Sequence, residues 1–406
     1  MSVESSHLGR VGREGPAAQG PAQTLTQART RVRVQAIDIL RGLVIVLMAL
    51  DHVREYFTDV RFRPLDLSHT DIALFFTRWI THYCAPIFIF LAGVSAWLVG
   101  RRCTRSQLTR FLVTRGLWLV VLEFTVVTLA WTFNLRYDFG LMMQVIWAIG
   151  MSMIVLALLA RLPLGWITAI AVAMIAGHNL LDGIDPETFG VAAPLWAVLH
   201  FQQPIAIGFV SYPLIPWIGV MALGYVMGGL FELEPAQRRR LLLTLGSAMI
   251  VAFVVLRLAN VYGDPHPWSV QSSATFTVLS FLKVHKYPPS LLYLLMTLGP
   301  GLLLLVLFET WRGALASVLE VFGRVPLFFY VLHIVLAHAL AGLVALWAGY
   351  GTSVLTGFFP DFPREWGYGL PVVYGVWLTV LALLYPLCRW FAEVKRRRSD
   401  WWLSYL

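Results

Sequence analysis

The chain is a succession of long apolar segments separated by shorter polar ones. Runs of about twenty mostly apolar residues are long enough to cross the hydrocarbon core of a bilayer as α-helices. The sequence contains ten such runs, at 36–55, 72–99, 116–134, 141–160, 163–182, 205–231, 241–260, 289–308, 325–348 and 368–392. The pattern therefore predicts an all-α fold, a polytopic transmembrane helical bundle of about ten spans.

Basic residues are concentrated in every second connection between these spans. They precede the first span, follow the second and sixth, and close the chain: Arg29, Arg31, Arg33; Arg101, Arg102, Arg105, Arg110, Arg115; Arg238, Arg239, Arg240; Lys395, Arg396, Arg397, Arg398. Connections rich in Lys and Arg stay on the cytoplasmic side, so the pattern predicts that both termini are cytoplasmic. The loops at 56–71, 183–204, 261–288 and 349–367 are then external.

Outside the bundle the sequence predicts only short tails. Residues 1–32 are rich in Gly, Ala, Gln and Ser and lack an apolar core, which indicates a disordered cytoplasmic tail rather than a cleavable signal peptide. The transmembrane domain is expected to cover 33–394, and 395–406 form a basic cytoplasmic tail. No further soluble domain is expected.

Composition agrees with a membrane protein, since 58% of the 406 residues are hydrophobic and only 13% are charged. Soluble domains carry about a quarter charged residues. A net charge of +9 is typical of some nucleic-acid-binding proteins, but here the positive-inside rule explains it, so membrane lipid is the expected partner and nucleic acid is not. Cys84, Cys103 and Cys388 have no metal-ligand spacing, and we expect neither a disulfide framework nor a metal site.

The first span carries a polar stripe. Arg41 and His52 are eleven residues apart, almost three helical turns, so they share one face about 16 Å apart, with Asp38 and Met48 near the same stripe. An ionisable group in hydrocarbon is costly and usually faces a polar cavity. The alternative is that Arg41 reaches the inner surface and His52 binds a neighbouring helix.

Further polar side chains reach the same outer half of the membrane. Arg78 and His82, four residues apart on the second span, share a helix face, and Asp51 precedes His52. His69 lies in the outer loop, where it is either a solvated residue beside a helix cap or a functional one. The remaining intramembrane candidates are expected to be structural: Glu123, His178 and His338.

Several stretches are similar to known acyltransferases. The opening Arg33-Val-Gln-Ala-Ile-Asp-Ile-Leu-Arg-Gly-Leu resembles the R-x-x-x-x-D-x-x-R-G start of the membrane-bound acyltransferase superfamily, and Arg41 to His52 reproduces its R-x10-H spacing. The segments 74–93, 212–219, 286–293 and 323–333 resemble bacterial proteins grouped with the catalytic domain of heparan-α-glucosaminide N-acetyltransferase.

This resemblance implies transfer of an acetyl group from cytosolic acetyl-CoA to a sugar amine or hydroxyl on the far side of the membrane. The lysosomal member of the family has an asparagine where His52 stands here. Its proposed catalytic histidine lies in the following lumenal loop, where His69 is the nearest counterpart. The acceptor here need not be heparan-like.

The leading hypothesis is a multi-pass acyltransferase of the bacterial inner membrane. The phosphates of acyl-CoA would lie at the cytoplasmic mouth near Arg41, with Arg101, Arg102 or Arg324, because guanidinium groups suit phosphate. Asp38 is an ion-pair partner for Arg41 at i, i+3 spacing. No metal is required.

His52 would act as general base, oriented by Asp51 or by a group on another helix, with His69 and His82 as the competing histidines. Arg78, or a backbone N–H freed by the proline kinks of the sixth and eighth spans, would stabilise the oxyanion. The rival hypothesis is a proton-coupled carrier or flippase without chemistry, and a catalytically inactive scaffold is a third. The acceptor and the oligomeric state stay open, a homo-oligomer included.

Overall fold

The computed structural model describes residues 21–134, 137, 140–357, 362–398, 400 and 402–403, with side chains from residue 35 onward except at 353. Helices account for most of this part of the chain. They are α1 (Pro21–Phe57), α2 (Ile72–Trp79), α3 (Cys84–Gly100), α4 (Arg105–Leu122), α5 (Thr128–Thr132), α6 (Val145–Leu159), α7 (Leu164–Gly177), α8 (Ala193–His200), α9 (Leu214–Met227), α10 (Pro235–Ala259), α11 (Ala274–Leu282), α12 (Leu291–Thr310), α13 (Ala314–Arg324), α14 (Pro326–Trp347), α15 (Ser353–Thr356) and α16 (Leu370–Arg397).

Eight helical segments of the described residues are long and apolar enough to cross a membrane. They are Ile72–Gly100, Arg105–Thr132, Leu164–Leu181, Leu214–Glu232, Pro235–Ala259, Leu291–Thr310, Pro326–Trp347 and Leu370–Arg397. Each coincides with one of the ten predicted spans. The other two predicted spans are also helical, but α1 carries Asp38, Arg41, Asp51 and Arg54 in its apolar stretch, and α6 has only 15 residues.

The ends of the bundle differ from the predicted domain limits. Helix α1 begins at Pro21 and so reaches into the segment predicted to be disordered, because its Ala, Gln and Arg residues favour helix. Residues 1–20 lie outside the described residues. At the other end α16 continues to Arg397, three residues into the predicted basic tail.

A three-stranded sheet departs from the expected all-α fold. Strands β1 (Leu141–Met143), β2 (Pro204–Ile205) and β3 (Gly208–Val210) have the order β1-β3-β2, with β1 parallel and β2 antiparallel to β3. Gly208 has φ of +155°, and a Cβ on it would lie 2.0 Å from the Leu141 carbonyl oxygen. The close pairing therefore requires glycine there, and the apolar runs at 141 and 205 begin as strands before their helices start.

Helix α1 lies at the centre of the bundle and packs against α3, α12, α13, α14 and α16. Its closest approach is to α13. A Cβ on Gly42 would lie 1.8 Å from the Leu319 carbonyl oxygen, and one on Gly323 would lie 1.8 Å from that of Asp38. The two glycines thus let the backbones touch beside Arg41.

Candidate active site

A cavity of about 360 Å³ runs along α1 through the bundle. Four α1 residues line it at intervals of three or four positions, namely Arg41, Ile45, Met48 and His52. This is the face that the sequence pattern singled out, and it does meet a cavity. Asp51 also contributes to the wall.

The middle of the cavity is apolar and is opened by small side chains of α3. Ala85, Ala92, Ser95 and Ala96 lie on one face of that helix and leave the space that larger residues would fill. The rest of the wall here is aliphatic or methionine: Leu119, Val145, Ile146, Ile149, Met153 and Leu327.

One end of the cavity is strongly basic, because Arg41, Arg115, Arg324 and Lys395 all line it. They come from α1, α4, α13 and α16. Arg41 and Arg324 were predicted from the sequence as cofactor-binding residues, whereas Arg115 and Lys395 were not. Both missed residues belong to basic clusters that the positive-inside rule already explained, so nothing in the sequence distinguished them from solvated neighbours.

Arg41 is held in place by three groups. It forms an ion pair with Asp38 at 3.0 Å, and it donates to the Gly323 carbonyl at 3.1 Å and to the Ser95 hydroxyl at 3.2 Å. Because the guanidinium is a rigid fork, these bonds fix its orientation at the cavity wall. Asp38 is thus a positioning partner and does not itself line the cavity.

Two of the predicted cofactor-binding arginines lie away from the cavity. Arg101 pairs with Glu232 at 2.8 Å and its side chain is 63% exposed, and Arg102 is also exposed. They follow the end of α3, beyond the last cavity-lining turn. Arg324 lines the cavity while forming an ion pair with Glu320.

At the other end His52 is paired with His333 of α14. His52 Nδ1 lies 2.7 Å from His333 Nε2, and His333 Nδ1 lies 3.0 Å from the Phe329 carbonyl oxygen. A carbonyl can only accept, so His333 carries its proton on Nδ1 and, when neutral, accepts from His52 Nδ1–H through Nε2. His52 then has its lone pair on Nε2, the arrangement required of a general base.

Asp51 forms ion pairs with two arginines. Arg54 donates to one carboxylate oxygen at 3.1 Å and Arg78 donates to the other. The orienting group for His52 is therefore His333 on another helix rather than Asp51. Arg78 does not line the cavity, and the sequence alone could not choose between these partners.

The His52 end of the cavity also has hydroxyl and amino groups. Thr81, Tyr212, Lys286 and Tyr330 line it beside His52. Burial alone would raise the pKa of the neighbouring Tyr287 phenol, but Lys286, Arg78 and a hydrogen bond with Tyr212 hold that pKa below its ordinary value. Lys286 thus lies beside His52 at this end of the cavity, and the sequence predicted no role for it.

Comparison with known families identifies the family of this chain. Residues 33–260, more than half of the chain, match the family described as heparan-alpha-glucosaminide N-acetyltransferase, catalytic. The chain belongs to this family. A comparison with curated proteins found no match.

Membership makes the protein an acetyl-CoA-dependent N-acetyltransferase-like enzyme and confirms the resemblance drawn from its motifs. The matched residues include Arg41 and His52. The motifs around Lys286 and His333 lie beyond the matched residues. Lys286 nevertheless lines the cavity, and His333 is hydrogen-bonded to His52.

The two competing histidines of this acetyltransferase lie elsewhere. His69 is exposed, with Nδ1 3.0 Å from both Asp66 Oδ2 and Ser68 Oγ. Hydrogen bonds from the Ser68 hydroxyl, from His69 and from the Ser68 backbone N–H lower the pKa of the Asp66 carboxyl. His82 is buried, and its backbone carbonyl accepts a hydrogen bond from Tyr293 at 2.7 Å. Neither imidazole lines the cavity.

Two intramembrane groups expected to be structural bind backbone. Glu123 accepts from the Trp147 N–H at 2.9 Å and so caps the start of α6. His338 Nδ1 lies 3.2 Å from the Ala130 carbonyl and its Nε2 3.1 Å from that of Val354. These contacts join α14 to its neighbours, and neither group lines the cavity.

Proposed function

We propose that the protein transfers an acetyl group from cytosolic acetyl-CoA, through this cavity, to an amine or hydroxyl of a sugar or cell-envelope glycan at the outer side. One observation carries the proposal: a single cavity joins four cationic side chains to His52. This order of features matches acetyl-CoA, which has phosphates at one end and the acetyl thioester at the other.

The basic end would hold the phosphates of CoA. Arg41 and Arg324 offer bidentate guanidinium donors, and Arg115 and Lys395 add charge. The apolar middle suits the pantetheine arm, and the helix rise from Arg41 to His52 gives it roughly 16 Å to cross.

His52 would act on the acceptor. The acceptor nitrogen or oxygen attacks the thioester carbonyl carbon while His52 Nε2 takes the acceptor proton. The carbon–sulfur bond then breaks, and the proton held by His52 passes to the departing CoA sulfur. His333 Nε2 accepts a hydrogen bond from His52 Nδ1–H, which leaves the lone pair of His52 on Nε2 for the acceptor proton.

The oxyanion that forms during transfer needs a donor. Lys286, Tyr212 and Tyr330 line the same end of the cavity as His52. Lys286 is the candidate we favour, because a positive charge in a water-poor site stabilises a developing oxyanion strongly. Arg78, the earlier candidate, is bound to Asp51 instead.

The carrier hypothesis has no observation of its own. Intramembrane His and Arg residues suggested it, but the family is one of acetyltransferases, and both kinds of residue have places in the proposed chemistry. CoA binding separates the two hypotheses, since a carrier has no reason to bind it.

The proposal includes the orientation of the chain. In it α1 and α6 cross the bilayer together with the eight apolar segments, both termini are cytoplasmic, and the membrane is the bacterial inner membrane. The basic end of the cavity then faces the cytosol, where acetyl-CoA is made, and the His52 end faces the outer side.

The test separates binding from turnover in the purified full chain in detergent. Labelled acetyl-CoA is supplied with a panel of amino sugars and envelope extracts. We expect His52→Ala to keep acetyl-CoA affinity and to lose about two to four orders of magnitude in transfer rate. His69→Ala, the control, should retain the rate, and the reverse pattern would move the chemistry to the loop histidine.

The same preparation tests the basic mouth. Arg115→Ala and Lys395→Ala should each weaken acetyl-CoA binding about tenfold, which corresponds to roughly 1.4 kcal/mol. Arg101→Ala and Arg102→Ala remove equal charge away from the cavity and should leave binding unchanged. Equal effects at all four positions would indicate a diffuse surface attraction and contradict the proposed mouth.

A further inference from the structure

A cluster of side chains that could ligate a metal ion lies outside the acetyltransferase cavity. His178 begins the short 3-10 helix that follows α7, Asp182 comes directly after that turn, and His200 ends α8. A ring nitrogen from each histidine and a carboxylate oxygen of Asp182 all lie within 4.8 Å of one another. None of the three residues lines the cavity.

The two histidines have buried ring nitrogens without hydrogen-bond partners. His178 is only 1% exposed and His200 is fully buried. Nδ1 of His200 has no hydrogen-bond partner within the described residues, and in the same part of the chain the His178 ring has only a weak contact with the Pro289 carbonyl. A buried ring nitrogen without a full hydrogen bond costs about 1–3 kcal/mol, so a ligand for the His178 ring is expected.

Asp182 is already oriented toward His200. One of its carboxylate oxygens lies 3.0 Å from His200 Nε2, and the other accepts from the Asn179 side-chain amide at 2.8 Å. Asn179 in turn accepts from the Leu291 N–H at 2.9 Å. Metal-ligating carboxylates are commonly fixed by such an outer hydrogen bond.

We propose that His178, Asp182 and His200 bind one divalent transition-metal cation of the zinc class. Two imidazoles and one carboxylate suit Zn²⁺, Co²⁺ or Ni²⁺ rather than Mg²⁺ or Ca²⁺, which favour all-oxygen sites. The Asp182 side chain is 22% exposed, which gives the ion an entry route and leaves a fourth position for water.

The spacing of the three ligands is close to that of a bound ion. Metal–ligand bonds of about 2.1 Å in a tetrahedral site separate the ligands by roughly 3.4 Å. The His200–Asp182 separation of 3.0 Å is near this value, and the ion takes the place of the proton between them. The wider spread, up to 4.8 Å, closes with a movement of about 1 Å, in which His178 gives up its weak contact with the Pro289 carbonyl.

The position of the ion suggests a supporting role. It would join the end of α7 to α8, and through Asn179 it would reach Leu291 at the start of α12. The loop just before α12 carries Lys286, which lines the outer end of the cavity. The cation would therefore stabilise the wall beside the proposed acceptor end, whether or not His52 is the base.

The experiment measures metal binding directly, with the full chain purified in detergent without a histidine tag and stripped with a chelator. We expect one Co²⁺ per chain with a visible d–d absorption band, and a rise in thermal stability with Zn²⁺ but not with Mg²⁺. His178→Ala should weaken Co²⁺ binding by at least about tenfold, at the lower end of the usual effect of disturbing a metal site.

The matched control is His69→Ala, which removes an exposed histidine next to another aspartate and should bind Co²⁺ like the wild type. His178→Gln, which retains much of the side-chain volume, gives a second reading if the alanine variant folds poorly. Absence of Co²⁺ binding by the wild-type chain, or equal affinity in either His178 variant, would overturn the proposal.

Discussion

At the scale of single residues, the site rests on a pair of histidines rather than on a histidine and a carboxylate. A hydrogen bond to the Phe329 carbonyl orients His333, and a second hydrogen bond from His52 to His333 orients His52. The R-x10-H spacing predicted His52, and that residue lines the cavity. The partner could not be selected, because His333 is 281 positions away and only the packing of α14 against α1 brings them together.

Replacing His333 should therefore slow transfer without weakening acetyl-CoA binding. We expect His333→Ala to lower kcat roughly a hundredfold, the usual cost of misplacing a reacting group by about 1 Å. His333→Gln should recover part of the rate, because its amide oxygen can accept the His52 Nδ1 proton. Steady-state kinetics beside CoA binding measures both.

A structural role alone predicts a different result for His333. Loss of packing would lower CoA affinity and thermal stability together with kcat, and Gln would rescue no better than Ala. That pattern would remove His333 from the proposed positioning of His52.

At the scale of helices, the glycine contact between α1 and α13 determines the basic end of the cavity. Gly42 and Gly323 let the two backbones meet, and this approach puts the Gly323 carbonyl within 3.1 Å of Arg41. The sequence contains both glycines next to arginines, but it does not show that the two arginines share a cavity. That depends on α13, an amphipathic helix too short and too polar to appear among the predicted spans.

Gly42→Ala tests this contact. Its new Cβ would lie 1.8 Å from the Leu319 carbonyl oxygen and 2.6 Å from the carbonyl carbon, so the helices must separate. We expect a loss of about 1–3 kcal/mol of stability, as for other overpacked sites, with weaker acetyl-CoA binding as Arg41 shifts. Thermal unfolding in detergent and a CoA binding assay measure the two effects.

Gly165→Ala is the matched control, because Gly165 lies in α7 with no atom within 4 Å of the added Cβ. Alanine there should be neutral or slightly stabilising, since alanine has the higher helix propensity. If Gly42→Ala unfolds at the same temperature as Gly165→Ala, the α1–α13 contact does not constrain the helices.

The hydrophobic pattern predicted the apolar helices well, because each of them is one continuous run of hydrophobic residues in the sequence. It did not predict the sheet, whose strands are two or three residues long and pair 141–143 with 208–210. The site shows the same division. Arg41 and His52, on one helix, were predicted together, whereas Arg115, Lys395 and His333 come from distant helices.

At the scale of the whole molecule, the cavity gives the bundle a direction: a cationic end and a histidine end. If acetyl-CoA enters from the cytosol, the cationic end must be cytoplasmic, and the start of α4, where Ser106 lies, must be on the same side. The loop around Ser272 must then be external, as the positive-inside rule predicts.

Cysteine labelling in cells checks this orientation with two exposed serines, each replaced by the similar-sized cysteine. Cys84 and Cys388 are buried and Cys103 is partly buried, so a Cys103→Ser background suffices. A membrane-impermeant maleimide should label Ser272→Cys in intact cells and Ser106→Cys only after permeabilisation. Labelling of Ser106→Cys alone in intact cells would put the basic mouth outside, and an acetyltransferase that draws on cytosolic acetyl-CoA could not use it.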